Sequence, residues 1–191
     1  MPTLTERIHT EIDTPLGRMT LAATPRGLAG AWFAGQRHFP PAHALGRRDD
    51  RHPTLQRAAQ QLQAFLQGTR RAFELPLDLG SGTPFQQSVW QALLQIPVGT
   101  TCSYAAIATA IGKPAAVRAV GAAVGRNPAS IVVPCHRVVG SGGALTGYAG
   151  GLPRKAHLLA LEAAAVAAPG SPGAPIRPTR GTSETRSTIA A

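Results

Sequence analysis

Residues 131–139 read Ile131-Val132-Val133-Pro134-Cys135-His136-Arg137-Val138-Val139, and a glycine-dense loop follows at once, from 140 to 151. One cysteine lies between an apolar run that would bury it and two basic side chains that would make it reactive. Burial in apolar surroundings raises a thiol's pKa and keeps it inert, whereas a neighbouring base or cation lowers it. The segment therefore poses a question of nucleophilicity, and the rest of the chain is read by what it brings to Cys135.

On the C-terminal side, glycines 140, 142, 143, 147, 150 and 151 suit either a tight fold around a planar ligand or a plain connector. Pro153 opens a last helix in which Leu158, Leu159, Glu162 and Val166 fall at i, i+1, i+4 and i+8. Glu162 thus lies on the apolar side, where it needs a partner unless it bends to solvent. From 168 to 191 the chain is rich in Pro, Gly, Ser and Thr without an apolar period, which predicts a disordered tail.

On the N-terminal side the pattern is helical back to the Gly80-Ser81-Gly82 boundary. Thr83 is an N-cap with Pro84 at the first helical position, and Phe85, Val89, Trp90, Leu93 and Leu94 form an apolar stripe that stops at Pro97. A second helix starts at Ser103, with Ala106, Ile107, Ala110 and Ile111 as its buried face, and ends at Gly112. Lys113-Pro114 begins a third, to about Val124. Two short helices joined by a turn with Gly112 and Pro114 read as a helix-turn-helix or as an ordinary helical hairpin. On the third helix Ala115, Arg118, Ala119 and Ala122 share the face opposite Val117, Val120, Gly121 and Val124. That small-residue face with one arginine fits DNA held through phosphates and shape, with little sequence specificity.

Before the boundary, residues 7–12, 18–23 and 27–33 predict an antiparallel meander with turns at Pro15-Leu16-Gly17 and Pro25-Arg26-Gly27. Residues 35–53 predict an irregular connection. His38, His43 and His52 fall there without ligand spacing. Residues 54–67 predict an amphipathic helix, and 72–79 a closing strand. The expected architecture is an α/β protein: an N-terminal antiparallel sheet with a helix (1–80), a C-terminal helical domain with the helix-turn-helix (81–167), and the tail.

The chain has 191 residues, a formal net charge of +10 and only Cys102 and Cys135 as cysteines. Two thiols exclude a disulfide scaffold and a four-cysteine zinc site. The charge favours a polyanionic partner, although a basic composition alone would also produce it. Neither an 18-residue apolar run nor a signal-peptide pattern is found, so a cytoplasmic protein is expected.

A cysteine attacks as thiolate, and a base that takes its proton makes the thiolate available. His136 is adjacent, but neighbouring side chains on extended backbone point apart, so a bridging water would be needed. Glu162 would then orient the imidazole, giving the order carboxylate, histidine, water, thiol. The same residues also suit a buried structural cysteine.

The Pro134-Cys135-His136-Arg137-Val138 core, preceded by Asn127-Pro128 and followed by Gly147-Tyr148-Ala149-Gly150-Gly151, resembles the methylated-DNA-protein-cysteine methyltransferases, the O6-alkylguanine-DNA alkyltransferases. Phe85-Gln86-Gln87-Ser88-Val89-Trp90, Ser103-Tyr104 and Arg118-Ala119-Val120-Gly121 extend the likeness from about Thr83 to Glu162. The resemblance implies a ribonuclease H-like N-terminal unit. It implies a single-turnover repair protein that binds duplex DNA in the minor groove, everts an O6-alkylguanine and moves the alkyl group to its own cysteine, with O4-alkylthymine a further candidate substrate. By position, Cys135 is the acceptor, His136 the base acting through water, Glu162 its orienting carboxylate and Asn127 the brace of the turn before the active segment. Arg118 is the finger entering the base stack, helped by Ala115, Ala119 and Ala122 on the DNA face, and Tyr104 turns a phosphate and protonates the leaving purine. Pro134, Val138, Tyr148 and Ala149 form the pocket. Position 149 carries a serine in some relatives, so Ala149 alters the expected hydrogen bonding to the base oxygen. The adaptive-response zinc module is missing, so neither metal nor cofactor is expected, and a monomer on DNA is implied, with cooperative binding left open. Two other readings are a non-reactive lesion binder, which would lack the cysteine, and a multiple-turnover hydrolase with a Cys-His-Glu triad.

Overall fold

Polar turn residues alternate with short apolar runs at the N-terminus, and they fold as expected in the structure, a computed structural model that describes residues 7–167. The composition-based reading of the 168–191 tail lies outside the described residues. Strands β1 (Ile8–Ile12), β2 (Met19–Thr24) and β3 (Gly27–Phe33) form an antiparallel meander. A two-residue strand β4 (Arg47–Arg48) pairs parallel with β1, giving the order β3-β2-β1-β4 and making the sheet mixed. It arises inside the stretch expected to be irregular, because only two residues pair and no apolar alternation announces them.

Helix α1 (Pro53–Leu66) packs Leu55, Ala58, Leu62, Phe65 and Leu66 onto β2 and β3. The expected strand at 72–79 is instead extended chain with one parallel bridge, Leu28 to Leu77. Pro76 has no N–H and contributes only its carbonyl to Leu28, which limits the ladder.

Strands β2 and β3 are buried along their full length. One side faces α1. The free edge of β3 receives the segment that leads to Cys135: Ala31 N–H donates to Pro128 O at 2.9 Å and Ser130 N–H donates to Ala31 O at 2.8 Å. The N-terminal sheet thereby props the active segment directly.

Helix α2 (Pro84–Leu93) starts with a reciprocal cap, in which Thr83 Oγ1 accepts from Gln86 N–H and Gln86 Oε1 accepts from Thr83 N–H. Trp90 Nε1 donates to Ala123 O at 2.9 Å, locking α2 to α4 (Val117–Gly125). Helix α3 (Tyr104–Ala110) buries Ile107 and Ala108, whereas Ala106 and Ala110 are exposed, a correction to the expected face. The helix is only seven residues long, so its apolar side is a narrow stripe. A 3-10 turn (Pro114–Ala116), rather than the expected helix start, precedes α4, on which Val120, Ala123 and Val124 are buried; Arg118, Ala119 and Ala122 on the helix and Ala115 on the turn are exposed. A parallel pair, β5 (Cys102–Ser103) with β6 (Val138–Val139), ties the start of α3 to the end of the active segment, and α5 (Leu152–Ala167) closes the core.

Thr83→Ala removes the side-chain half of the cap and is expected to cost about 1 kcal/mol in urea unfolding; an unchanged midpoint would show that the cap is not holding α2.

Candidate active site

Nine consecutive residues, 131–139, are buried. Cys135 to Arg137 form a 3-10 turn rather than the extended run expected, so the argument that successive side chains point apart does not apply there. Ile131 sits at φ 72°, in the left-handed region that a β-branched residue strongly resists. Its backbone is held by the Ala31 pairing and by Val133 N–H donating to Ala129 O.

Asn127, itself buried, gathers the turn. Its amide Nδ2 donates to Val133 O at 2.8 Å and to Cys135 Sγ at 3.0 Å, while its Oδ1 accepts from Ala129 N–H at 3.0 Å. Burial pushes the Cys135 thiol up to about 11; the Asn127 hydrogen bond and the Lys155 charge oppose this without reversing it. Burial and the Asn127 donor thus act in opposite directions on the Cys135 proton, with burial the larger. Holding the anion at neutral pH would cost about 5 kcal/mol.

Glu162 is 1% exposed and meets His136 Nε2 at 2.7 Å through Oε1. Arg137 donates to both of its oxygens at 2.8–3.1 Å, and Gly99 N–H donates to Oε2 at 3.2 Å. Burial alone would raise the carboxyl, but the hydrogen bonds and charges of His136 and Arg137 outweigh it and bring Glu162 down to about 2. Desolvation lowers His136, against the pull of Glu162, so the imidazole is neutral. An ionised carboxylate only accepts, so Nε2 carries the ring proton and Nδ1 holds a free lone pair. Nδ1 is buried and has no hydrogen-bond partner among the described residues.

Above the thiol opens a cavity of about 320 Å³ lined by residues that include Tyr104, Ala122, Cys135, Gly147, Tyr148 and Ala149. Tyr104 OH donates to Thr146 O at 3.2 Å, and the Tyr148 hydroxyl is buried close to Ser130. Of the expected pocket residues, Tyr148 and Ala149 line the cavity, whereas Pro134 and Val138 are buried and do not line it. Among the described residues no group of three or more His, Cys, Asp or Glu side chains is placed to hold a metal ion.

Residues 84–164 match the family model described as "6-O-methylguanine DNA methyltransferase, DNA binding domain", and 8–79 match "6-O-methylguanine DNA methyltransferase, ribonuclease-like domain". The chain is 46% identical to a methylated-DNA–protein-cysteine methyltransferase of Methanosarcina barkeri over 79% of its own length and 94% of that protein. The chain belongs to the methylated-DNA–protein-cysteine methyltransferase family. It is 45% identical to the constitutive methyltransferase of Bacillus subtilis, covering 81% of this chain and 94% of that protein. The fold matches a crystal structure of Mycobacterium tuberculosis OGT in complex with DNA with a TM-score of 0.75, covering 83% of this chain and 94% of that one. As a member, the chain is a DNA-repair transferase that moves an alkyl group from DNA to a protein cysteine.

Two residues of this methyltransferase site escaped the sequence reading. Arg137 was read only as a cation beside the cysteine, yet it is the main partner of Glu162. Lys155, fully buried, donates from Nζ to Val138 O at 2.6 Å, Thr146 O at 2.7 Å and Gly147 O at 3.3 Å, pinning the glycine loop to α5. Its place seven residues before Glu162, two helical turns along the face that carries Leu158, was the available signal.

Acid should unfold the protein in two stages with the same sign. His136, lowered in the fold, loses stability as pH falls below its ordinary 6.5. Glu162, lowered to about 2, contributes stability above its ordinary 4.5 that is lost as pH falls from there toward 2. Urea midpoints across this range are expected to drop steeply below pH 4.5 for the native chain. Glu162→Gln should be destabilised at pH 7 by about 3–5 kcal/mol and show a flatter profile; parallel profiles would contradict the assigned pairing.

Proposed function

We propose that Cys135 is the residue that receives the alkyl group, taking it from O6 of an alkylated guanine turned out of duplex DNA into the cavity, once per molecule. The observation that carries this reading is the free Nδ1 of His136, a neutral base held by an ionised carboxylate within the turn that bears the cysteine. A water between Nδ1 and Sγ passes the thiol proton to the imidazole. Sulfur then attacks the alkyl carbon, the S–C bond forms and the C–O6 bond breaks. The electron pair leaves on the purine, which is protonated as it departs. The transfer balances without a cofactor. Glu162 orients His136 and stabilises the imidazolium that forms, and Asn127 fixes the sulfur.

Tyr104, on the cavity wall, suits the role of proton donor to the leaving purine, its hydroxyl turning from Thr146 O. Tyr148 and Ala149 flank the base. An alanine at 149 offers the base oxygen no hydroxyl and leaves room for adducts larger than methyl. O4-alkylthymine is a second substrate of the same chemistry.

DNA docks on the exposed face of α4 and the turn before it. Ala115, Ala119 and Ala122 let the backbone approach the minor groove, and Arg118, whose guanidinium makes no ion pair among the described residues, fills the place of the everted base. Contacts of this kind read shape and phosphates, so sequence specificity is low. No helix of the described residues is long and apolar enough to cross a membrane; the chain acts as a monomer in the cytoplasm, with residues 81–167 as the transfer unit and 1–80 as its support.

Incubation with an O6-methylguanine duplex should add one methyl to the intact protein mass and then stop, and Cys135→Ser should gain none. Continued turnover of an ester or amide would favour a hydrolase instead. Arg118→Ala should slow transfer from duplex DNA more than from free O6-benzylguanine; equal slowing removes the finger role.

A further inference from the structure

The mouth of the cavity is built from both halves of the chain. Arg37 and His38, from the connection between β3 and β4, line it together with Arg126, the residue that caps the end of α4. Among the described residues no carboxylate lines it. Arg37 and Arg126 are exposed, and among the described residues neither guanidinium forms an ion pair or a hydrogen bond. By contrast, Arg26, Arg47 and Arg48 are each paired with a carboxylate.

The loop that carries Arg37 is fixed on both sides. The buried Gln36 accepts through Oε1 from Phe33 N–H at 2.9 Å and from Ser130 Oγ at 3.2 Å, joining the sheet to the active segment. Arg37 N–H donates to Ala149 O at 3.1 Å, so its backbone is bonded to the cavity wall. His38 follows at φ 62°, a left-handed conformation that a non-glycine residue holds only where its surroundings impose it. Beyond it, Phe39 packs edge-on against Trp32, with ring centroids 6.3 Å apart. A cation presented on a braced loop loses little entropy when it binds, which is how a built site differs from a solvated arginine.

We propose that Arg37 and Arg126 form a phosphate clamp across the cavity mouth, holding the DNA backbone beside the everted nucleotide, so that the N-terminal unit is part of the DNA interface. The proposal rests on the reading of the cavity as the nucleotide pocket. Guanidinium groups take phosphodiester oxygens in bidentate geometry, and two of them lining one mouth would secure the strand once the base has left the stack. The clamp senses charge and not sequence.

The test compares the full chain with Arg37→Ala, Arg126→Ala, the double variant and Arg37→Lys. Affinity for an O6-methylguanine duplex is measured over a salt series, and single-turnover transfer is measured from that duplex and from free O6-benzylguanine. Each alanine variant should reduce the slope of log affinity against log salt by about one. Duplex transfer should fall by about tenfold near physiological salt, with a smaller loss on the free base. Arg37→Lys should keep the slope. An unchanged slope in the double variant, or equal losses on duplex and free base, would overturn the clamp while leaving transfer to Cys135 intact. A native chain that takes an alkyl group from neither substrate would instead overturn the reading beneath it.

Discussion

A single ionised carboxylate with almost no exposed surface sets the terms for the rest of the structure. Glu162 draws α5 onto the Cys135–Arg137 turn through His136 and Arg137, and onto the connection after α2 through Gly99 N–H. Arg137 extends the same junction by donating to Ile96 O. Burying a charge is costly unless its lone pairs are all satisfied. Here both oxygens are, by an arginine fork, an imidazole and a backbone amide. The charge that orients the base is therefore also a joint between helix, turn and connection, and the chemistry cannot be separated from the fold.

Under the proposed transfer to Cys135, that joint is what lets a buried thiol act as a nucleophile. Apolar burial holds Cys135 in its protonated form, near 11, and Asn127 gives the sulfur a donor that only partly offsets it. A stored thiolate would react with any electrophile that reached it. In the proposed transfer, a thiol beside a neutral base whose second nitrogen is already committed to Glu162 gives up its proton as the alkyl carbon is attacked. Selectivity then comes from delivery of the base into the cavity, the task of the α3–α4 unit.

The support beneath this site lies in the N-terminal sheet. The edge of β3 pairs with residues 128–130 and so fixes the backbone on which Ile131 is held left-handed. Much of this was legible beforehand. The meander, α1, the capped α2 and the outward face of α4 follow from apolar periodicity and turn residues, whereas Glu162 on an apolar face left a buried partner and a bend to solvent equally open. Other features were not. Strand β4 is two residues long and carries arginines, so no period reveals it. Pro76 cut short a ladder that the alternation of Phe73, Leu75, Leu77 and Leu79 implied. Arg137 and Lys155 look like surface cations until the tertiary structure surrounds them with carbonyls and a carboxylate. For Cys135 the sequence showed both the apolar run that buries it and the basic residues beside it, and only the tertiary structure showed that burial is the larger effect.

The position of one proton in the resting protein decides how Cys135 is activated. Nitrogen-15 NMR of the His136 imidazole in the unalkylated chain at neutral pH reads this directly. A neutral ring, protonated at Nε2 and bare at Nδ1, is the predicted result. A ring protonated on both nitrogens, with Cys135 as thiolate, would contradict it and would mean that the site stores its charge before the substrate arrives.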